Sequence, residues 1–427
     1  MNHRELIVAV YLSVGMVTTG LSQTSLTLDQ CLQLARSNSP ALRAADDAAQ
    51  ASELSQSELT TTALPQLKAG LGGSYAPVPP SFGYDPIISN GGQIAGQIML
   101  EQSLYDGGVR SIKSDQLQID AERLAKERRR VDRDLTFAVT QTFIEVLRAQ
   151  RETELQQQSV DQLTTYLDLA QRLFKGGSAG YTDVLKTEVQ QSNAVLSLQK
   201  AGESLQSARY SLAELTGAAM DSASFIGSLE SPADSDSAPP ENGLLHNLDL
   251  SIAGLGTERT MLEVELTKRE RLPEISFIGD AGYLSSIENL RLPSSDRVSA
   301  LGYSIGVGID IPIFNWGATG LRIEQRELEL DAQRQEVEIL NRSLTSELQK
   351  TNLGLVMARN RLRAIRQNIV NAEDNFLLTR SQYAGGATSS LEVLAAQGLL
   401  TETKLAELGA LASIRLLSAK LEQITSQ

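Results

Sequence analysis

Residues 173–185 read Leu-Phe-Lys-Gly-Gly-Ser-Ala-Gly-Tyr-Thr-Asp-Val-Leu, and residues 382–394 read Gln-Tyr-Ala-Gly-Gly-Ala-Thr-Ser-Ser-Leu-Glu-Val-Leu. A constant shift of 209 lays one on the other without a gap: Phe174 on Tyr383, Gly176 and Gly177 on Gly385 and Gly386, Asp183 on Glu392. Each stretch predicts a helix that ends at a glycine pair, a tight turn, and a second helix running back. Glycine suits the end of a helix because the left-handed backbone there crowds any side chain. The chain therefore carries two helical hairpin tips, one per half, and the duplication predicts one architecture used twice.

The helices on either side are long. Two proline-free runs, about 108–175 and 317–384, lead into the tips. At about 1.5 Å per residue each extends roughly 100 Å, so each has to pack lengthwise on other helices. The returning helices show the register, with Leu198, Ala201, Leu205, Ala208, Leu212 and Leu215 in steps of three and four, and Ala410, Ile414, Leu417, Leu421 and Ile424 in the second copy. Such a seam is core and carries no chemistry. Arg128-Arg129-Arg130, the only basic run, reads as a solvated or ion-paired face.

Upstream of each long helix the period changes to two. Residues 65–75 and 93–105 form a first strand pair, and 274–285 and 299–314 a second, each joined by a polar loop. The clearest strand has Leu301, Tyr303, Ile305, Val307, Ile309 and Ile311 on one face, against Gly302, Ser304, Gly306, Gly308 and Asp310 on the other. About ten residues of this alternation fit a transmembrane barrel strand, and equally the buried face of a soluble sheet. A barrel needs about eight strands or more. Four per chain therefore require an oligomer, and three copies give twelve.

Residues 1–23 read as a secretory signal peptide: Arg4, then an apolar run from Leu6 to Val17, then small or polar residues. The mature chain divides into a first repeat at 24–217, a linker at 218–243 rich in Ser, Asp, Ala and Pro, and a second repeat at 244–427. The helical hairpins occupy 108–216 and 317–425. A shorter helix opens each repeat. The first starts at Leu26, is broken at Ser39-Pro40 and resumes to Leu64-Pro65.

Composition narrows the function. A net charge of −14 argues against a nucleic-acid partner, whose phosphates need a basic face, and favours cations over anions in any passage. Cys31 is the only cysteine, which excludes a disulfide within the chain and a cysteine metal site. Its preceding Leu28-Asp29-Gln30 lacks the small residues of a lipoprotein signal. His246 is the only histidine outside the leader and reads as structural. No nucleophile–base set is present, so an enzyme is disfavoured, and no metal or cofactor is expected.

The arrangement resembles the outer membrane efflux protein family, often called TolC-like, over nearly the whole mature chain. The residues that carry the resemblance are Leu28-Asp-Gln-Cys-Leu-Gln-Leu-Ala35 with Asn38-Ser-Pro-Ala-Leu42, Leu64-Pro-Gln-Leu67 and Leu272-Pro-Glu-Ile275. To these are added Gln102-Ser-Leu-Tyr-Asp-Gly-Gly108, Pro312-Ile-Phe-Asn-Trp-Gly317 and both tips. The resemblance implies a mainly α homotrimer with a twelve-stranded β-barrel in the outer membrane, four strands per chain, on a coiled-coil tunnel through the periplasm. It implies a passive exit duct for efflux or type I secretion, served by an inner membrane pump and a periplasmic adaptor protein. On the family pattern, Asp183 and Glu392 line the periplasmic aperture, and Tyr383 belongs to its closing network. Thr388 stands where the family has an arginine, and Ala395 where it has a further acid. Gly176, Gly177, Gly180, Gly385 and Gly386 are candidate adaptor contacts, and turn geometry alone explains them equally. An acidic residue in a first helical turn is also favoured by the helix dipole. The rival function is a periplasmic coiled-coil scaffold whose strands never enter the membrane.

Overall fold

The computed structural model describes residues 25–76, 91–220, 223–230, 244, 247–288 and 299–426. Among them the order is β1 (Ser25–Leu26), α1 (Leu28–Asn38), α2 (Pro40–Thr61), β2 (Gln66–Ala76), β3 (Gly91–Tyr105), α3 (Val109–Lys175) and α4 (Tyr181–Thr216). Then follow β4 (Ser224–Phe225), α5 (Leu248–Arg269), β5 (Glu274–Glu288), β6 (Ser299–Asp310), α6 (Ala318–Ala384) and α7 (Ser390–Thr425). The duplication holds to the residue in the hairpins: α3 and α6 have 67 residues each, and α4 and α7 have 36 each. The leader and His246 lie outside the described residues. No helix among the described residues is long and apolar enough to cross a membrane.

Two compact units are distinguished. One holds residues up to Asn38, Ala138–Pro232 and Ala358–Leu416; the other holds Ser39–Phe137, Ala233–Met357 and Leu417–Gln427. The second contains a four-stranded antiparallel sheet in the order β2-β3-β5-β6. Its register sets Leu67 opposite Leu100, Leu100 opposite Gly279, and Gly279 opposite Ile305. Paired residues share a face. Ala69, Ile98, Ala281 and Tyr303 therefore form the next row of one apolar face that runs across all four strands. That face is open: Leu301, Tyr303, Ile305, Val307 and Ile309 are 62–83% exposed. The opposite face is small and polar, with Lys68 bonded to Glu101 at 3.1 Å and the Ser304 hydroxyl donating to Asp280. Ile278, which interrupts the alternation in the sequence, pairs with Gly306 and stands on that polar face.

Two expectations need correction. β6 ends at Asp310, so Ile311 follows the strand; Pro312 has no N–H to continue a ladder. α1 starts at Leu28, because Thr27 and Gln30 cap each other, the Thr27 N–H donating to Gln30 Oε1 at 2.9 Å and the Gln30 N–H to Thr27 Oγ1 at 3.4 Å. Leu26 instead pairs with Phe225 in a two-residue parallel ladder. The described part of the linker is also packed. Phe225 is buried edge-on to Phe143 at 6.0 Å, Arg415 donates to the Ser228 carbonyl at 3.4 Å, and Arg366 bridges Glu230 and Glu407. A side chain at Gly227 would lie 2.7 Å from Leu147.

The Asn38-Ser-Pro-Ala-Leu42 motif has a physical account. Asn38 Nδ2 donates to the Thr216 carbonyl at the end of α4 at 2.8 Å, and Ser39 Oγ accepts from the Leu42 N–H at 3.3 Å. Pro40 occupies the first turn of α2, where its missing N–H costs nothing. In the second repeat Asn247 performs both tasks. It accepts from the Leu250 N–H at 3.0 Å and donates to the Ile424 carbonyl at 2.8 Å, at 1% exposure. Both amides satisfy carbonyls that a helix end leaves without partners. Cys31 is fully buried, and burial pushes its thiol up to about 11, which leaves it inert. Replacing Asn247 with Ala strands a buried carbonyl and an N–H, and should lower stability by about 1–3 kcal/mol. Urea unfolding followed by the helical circular dichroism signal measures this.

Candidate functional site

The tips lie in the first unit and are built by the same hydrogen bonds. α3 closes with the Ser178 N–H on the Leu173 carbonyl at 2.8 Å and the Gly177 N–H on Phe174 at 2.9 Å. α6 closes with the Ala387 N–H on Gln382 at 2.8 Å and the Gly386 N–H on Tyr383 at 3.0 Å. This six-to-one and five-to-two pair requires a left-handed residue between them. Gly177 and Gly386 supply it, at φ +74° and +76°. Gly176 and Gly385 do not have positive φ, so the sequence pair hides one obligatory and one tolerant position. Gly180 has extended backbone and precedes the first turn of α4.

Asp183 is the third residue of α4 and is half-buried. Its Oδ2 accepts from the Gly180 N–H at 3.4 Å, and its Oδ1 accepts from the Ser390 hydroxyl of the other tip at 2.6 Å. Ser390 is fully buried. The structure thus brings Asp183 and the start of α7 together through a residue that sequence reading missed. The signal was present, since the shift of 209 sets Ser390 on Tyr181, the point where a small hydroxyl replaces a ring. Glu392 occupies the matching third position of α7, is exposed, and accepts from the Thr388 hydroxyl. Thr388 therefore holds Glu392 locally.

Tyr383 is a core residue. At 4% exposure it packs with Leu163, Tyr166, Ala194, Val393 and Leu394, its ring 5.2 Å from that of Tyr166. Its counterpart Phe174 is instead 43% exposed, against Tyr181 at 5.5 Å. Burial raises the pKa of both Tyr166 and Tyr383, and the Asp183 charge adds to it. Neither hydroxyl has a hydrogen-bond partner among the described residues. Between the first turns of α4 and α7 lies a groove lined by Leu185, Val189, Leu391 and Leu399, with Lys186 and Glu402 among its charged residues. Among the described residues no group of His, Cys, Asp or Glu is placed to hold a metal ion.

A family model described as outer membrane efflux protein matches residues 31–218 and again 240–427. The chain is 24% identical over 267 residues to the outer membrane protein TolC of Vibrio cholerae serotype O1, a match covering 61% of this chain and 60% of that protein. It is 23% identical over 405 residues to the outer membrane efflux protein BepC of Brucella suis biovar 1, covering 94% of this chain and 86% of that protein. Among solved structures, the CmeC outer membrane channel of Campylobacter jejuni superimposes with a TM-score of 0.78 at 14% identity, over 100% of this chain and 93% of that one. This last likeness establishes the fold.

The tip geometry separates the glycines experimentally. Gly177→Ala and Gly386→Ala should each destabilise by about 1–2 kcal/mol, because a Cβ in the left-handed region meets the following carbonyl. Gly176→Ala and Gly385→Ala should change little. Hydrogen exchange of the residues flanking each turn reads the difference.

Proposed function

The chain belongs to the outer membrane efflux protein family, and we propose that it is the exit duct of a tripartite efflux or type I secretion system. It is an outer membrane protein with a large periplasmic part. The observation that carries the reading is the four-stranded sheet, with one continuous apolar face and its edge strands β2 and β6 each paired on one side only. In hydrocarbon every backbone N–H and C=O needs a partner within the protein, so an open edge is not tolerated. Edge-to-edge joining of three copies gives a closed barrel of twelve strands with the apolar face outward. The homotrimer is the smallest symmetric solution that exceeds about eight strands while leaving a wide lumen.

In this reading residues 1–23 direct export, and repeats at 24–217 and 244–427 flank the linker at 218–243. Leu301, Tyr303, Ile305, Val307 and Ile309 meet lipid, with Ile311 just beyond the strand. The long hairpins form the periplasmic passage. Asp183, Glu392, Tyr383 and Thr388 belong to its aperture, and the Ser390–Asp183 bond ties the two tips of one chain. The turns at Gly176, Gly177, Gly180, Gly385 and Gly386, beside the apolar groove between α4 and α7, receive a periplasmic adaptor protein that joins the duct to an inner membrane pump. The chain supplies a passage and no energy.

Two experiments test this. In planar bilayers the purified protein should show discrete conductance steps. Asp183→Ala/Glu392→Ala should raise the conductance and weaken cation preference; no steps from a membrane-inserted protein would remove the duct. Separately, Ile305→Lys should impair membrane assembly, since lysine on a lipid-facing strand costs about 2–4 kcal/mol near the bilayer midplane. Normal assembly of that variant would move the sheet out of the membrane.

A further inference from the structure

The hairpin α6–α7 carries charge where its copy carries none. The shift of 209 sets Glu373, Lys404 and Glu407 on Thr164, Val195 and Leu198. Leu198 opens the apolar seam of α4, so Glu407 puts a carboxylate on the seam of α7. Its side chain is 27% exposed, and the adjacent Leu408 is buried. A carboxylate drawn that far out of water needs a cation beside it. Its cation is divided: Arg366 lies 3.0 Å from Glu407 and 3.2 Å from Glu230, at the end of the packed stretch 223–230.

These groups belong to a cavity of about 590 Å³ between α3, α6, α7 and residues 227–230, all within the first unit. That volume is in the range of small-molecule sites. Leu229 and Leu408 are buried in its wall, and Leu155 and Leu411 are half-buried there. Two further ion pairs line it, Lys404 with Glu373 at 2.7 Å and Arg151 with Glu154 at 2.6 Å. Among the described residues, Arg151, Arg366 and Lys404 therefore serve Glu154, Glu230, Glu373 and Glu407, three cations for four carboxylates. The unmatched negative charge falls on the two carboxylates that share Arg366. An apolar wall beside unmatched negative charge selects an occupant with the complementary features, a cationic head and an apolar body. A small hydrated cation would leave the leucine wall in contact with water, and an anion would meet the surplus carboxylate.

We propose that this cavity binds an organic monocation, with its charge against Glu407 and Glu230 and its apolar body against Leu229 and Leu408. The site is separate from the tips and from the sheet, so its failure would leave the duct reading untouched. The test uses the full chain in detergent, in equilibrium dialysis against tetraphenylphosphonium, with protein-free micelles as the reference. Triphenylphosphine oxide, which is neutral, and tetraphenylborate, which is anionic, present similar apolar surface. The cation should bind above the reference and the other two should not. Glu407→Gln should weaken the cation about fivefold, the scale of one partly exposed ion pair. Arg366→Gln should tighten it by a similar factor, because both carboxylates then lack their arginine. Charges that only hold the fold together would not move the affinity in opposite directions.

No binding of tetraphenylphosphonium above the micelle reference overturns the site. Equal binding of the borate reduces it to apolar adsorption and overturns it too. So does one affinity shared by the wild type and both variants, which would put the cation elsewhere on the chain. Melting followed by the helical circular dichroism signal identifies a variant that has lost its fold, and the other then carries the comparison.

Discussion

Two helices of 67 residues cannot bury a stripe of leucine and alanine by themselves, and the structure depends on how each is turned back. The device is the paired hydrogen bond around one left-handed glycine at Gly177 and at Gly386. A turn of this kind is short and stiff, so it fixes the register between outgoing and returning helix. Ala201, Ala208 and Leu212 then fall on a buried seam in α4, as Ala410 and Ile414 do in α7. The same turns bring Ser390 onto Asp183 and close Val393 and Leu394 over Tyr166 and Tyr383. The hairpin backbone is thus determined by a few carbonyls near each tip.

Duplication makes the departures informative. Where both copies need only a scaffold, they agree in length and in bonding. Where they differ, the difference has a physical consequence. Tyr383 is inside while Phe174 is outside, which gives one tip a closed aromatic core and leaves the other ring pair on the surface. Ser390 replaces Tyr181 and so reaches the neighbouring carboxylate. Asn247 caps a helix and clasps a carbonyl with one side chain, two tasks that Ser39 and Asn38 divide in the first copy.

Much of this was legible in the sequence because the governing signals are local. Glycine pairs, prolines and the change of period from 3.6 to two mark the elements, and the shift of 209 marks the repeat. The strand face from Leu301 to Ile309 is readable because alternation in a strand is strict. What was not readable depends on long-range contacts. The packed strap from Ala223 to Glu230 looks like linker, since its Ser, Gly and Glu residues hide two buried anchors, Phe225 and Leu229. Leu26 extends the helical pattern of α1 by two residues by coincidence, although Thr27 and Gln30 spell a capping box. Ser390 could not be assigned a partner 207 positions away from spacing alone.

The two acidic residues at the tips show how far equivalence in sequence falls short of equivalence in chemistry. Both stand third in a helix, where the dipole favours negative charge. The dipole accounts well for Asp183, one of whose oxygens takes a backbone N–H at the helix start while the other takes the Ser390 hydroxyl. Its lone pairs are already directed into the protein. Glu392 takes the hydroxyl of Thr388 on one oxygen and is exposed. A carboxylate that is held on one side and open on the other can change its hydration at little cost in protein contacts. One that is held on both sides has to break the bond between the tips first. Of the pair, Glu392 keeps one carboxylate oxygen open to solvent, and Asp183 bonds the two tips to each other.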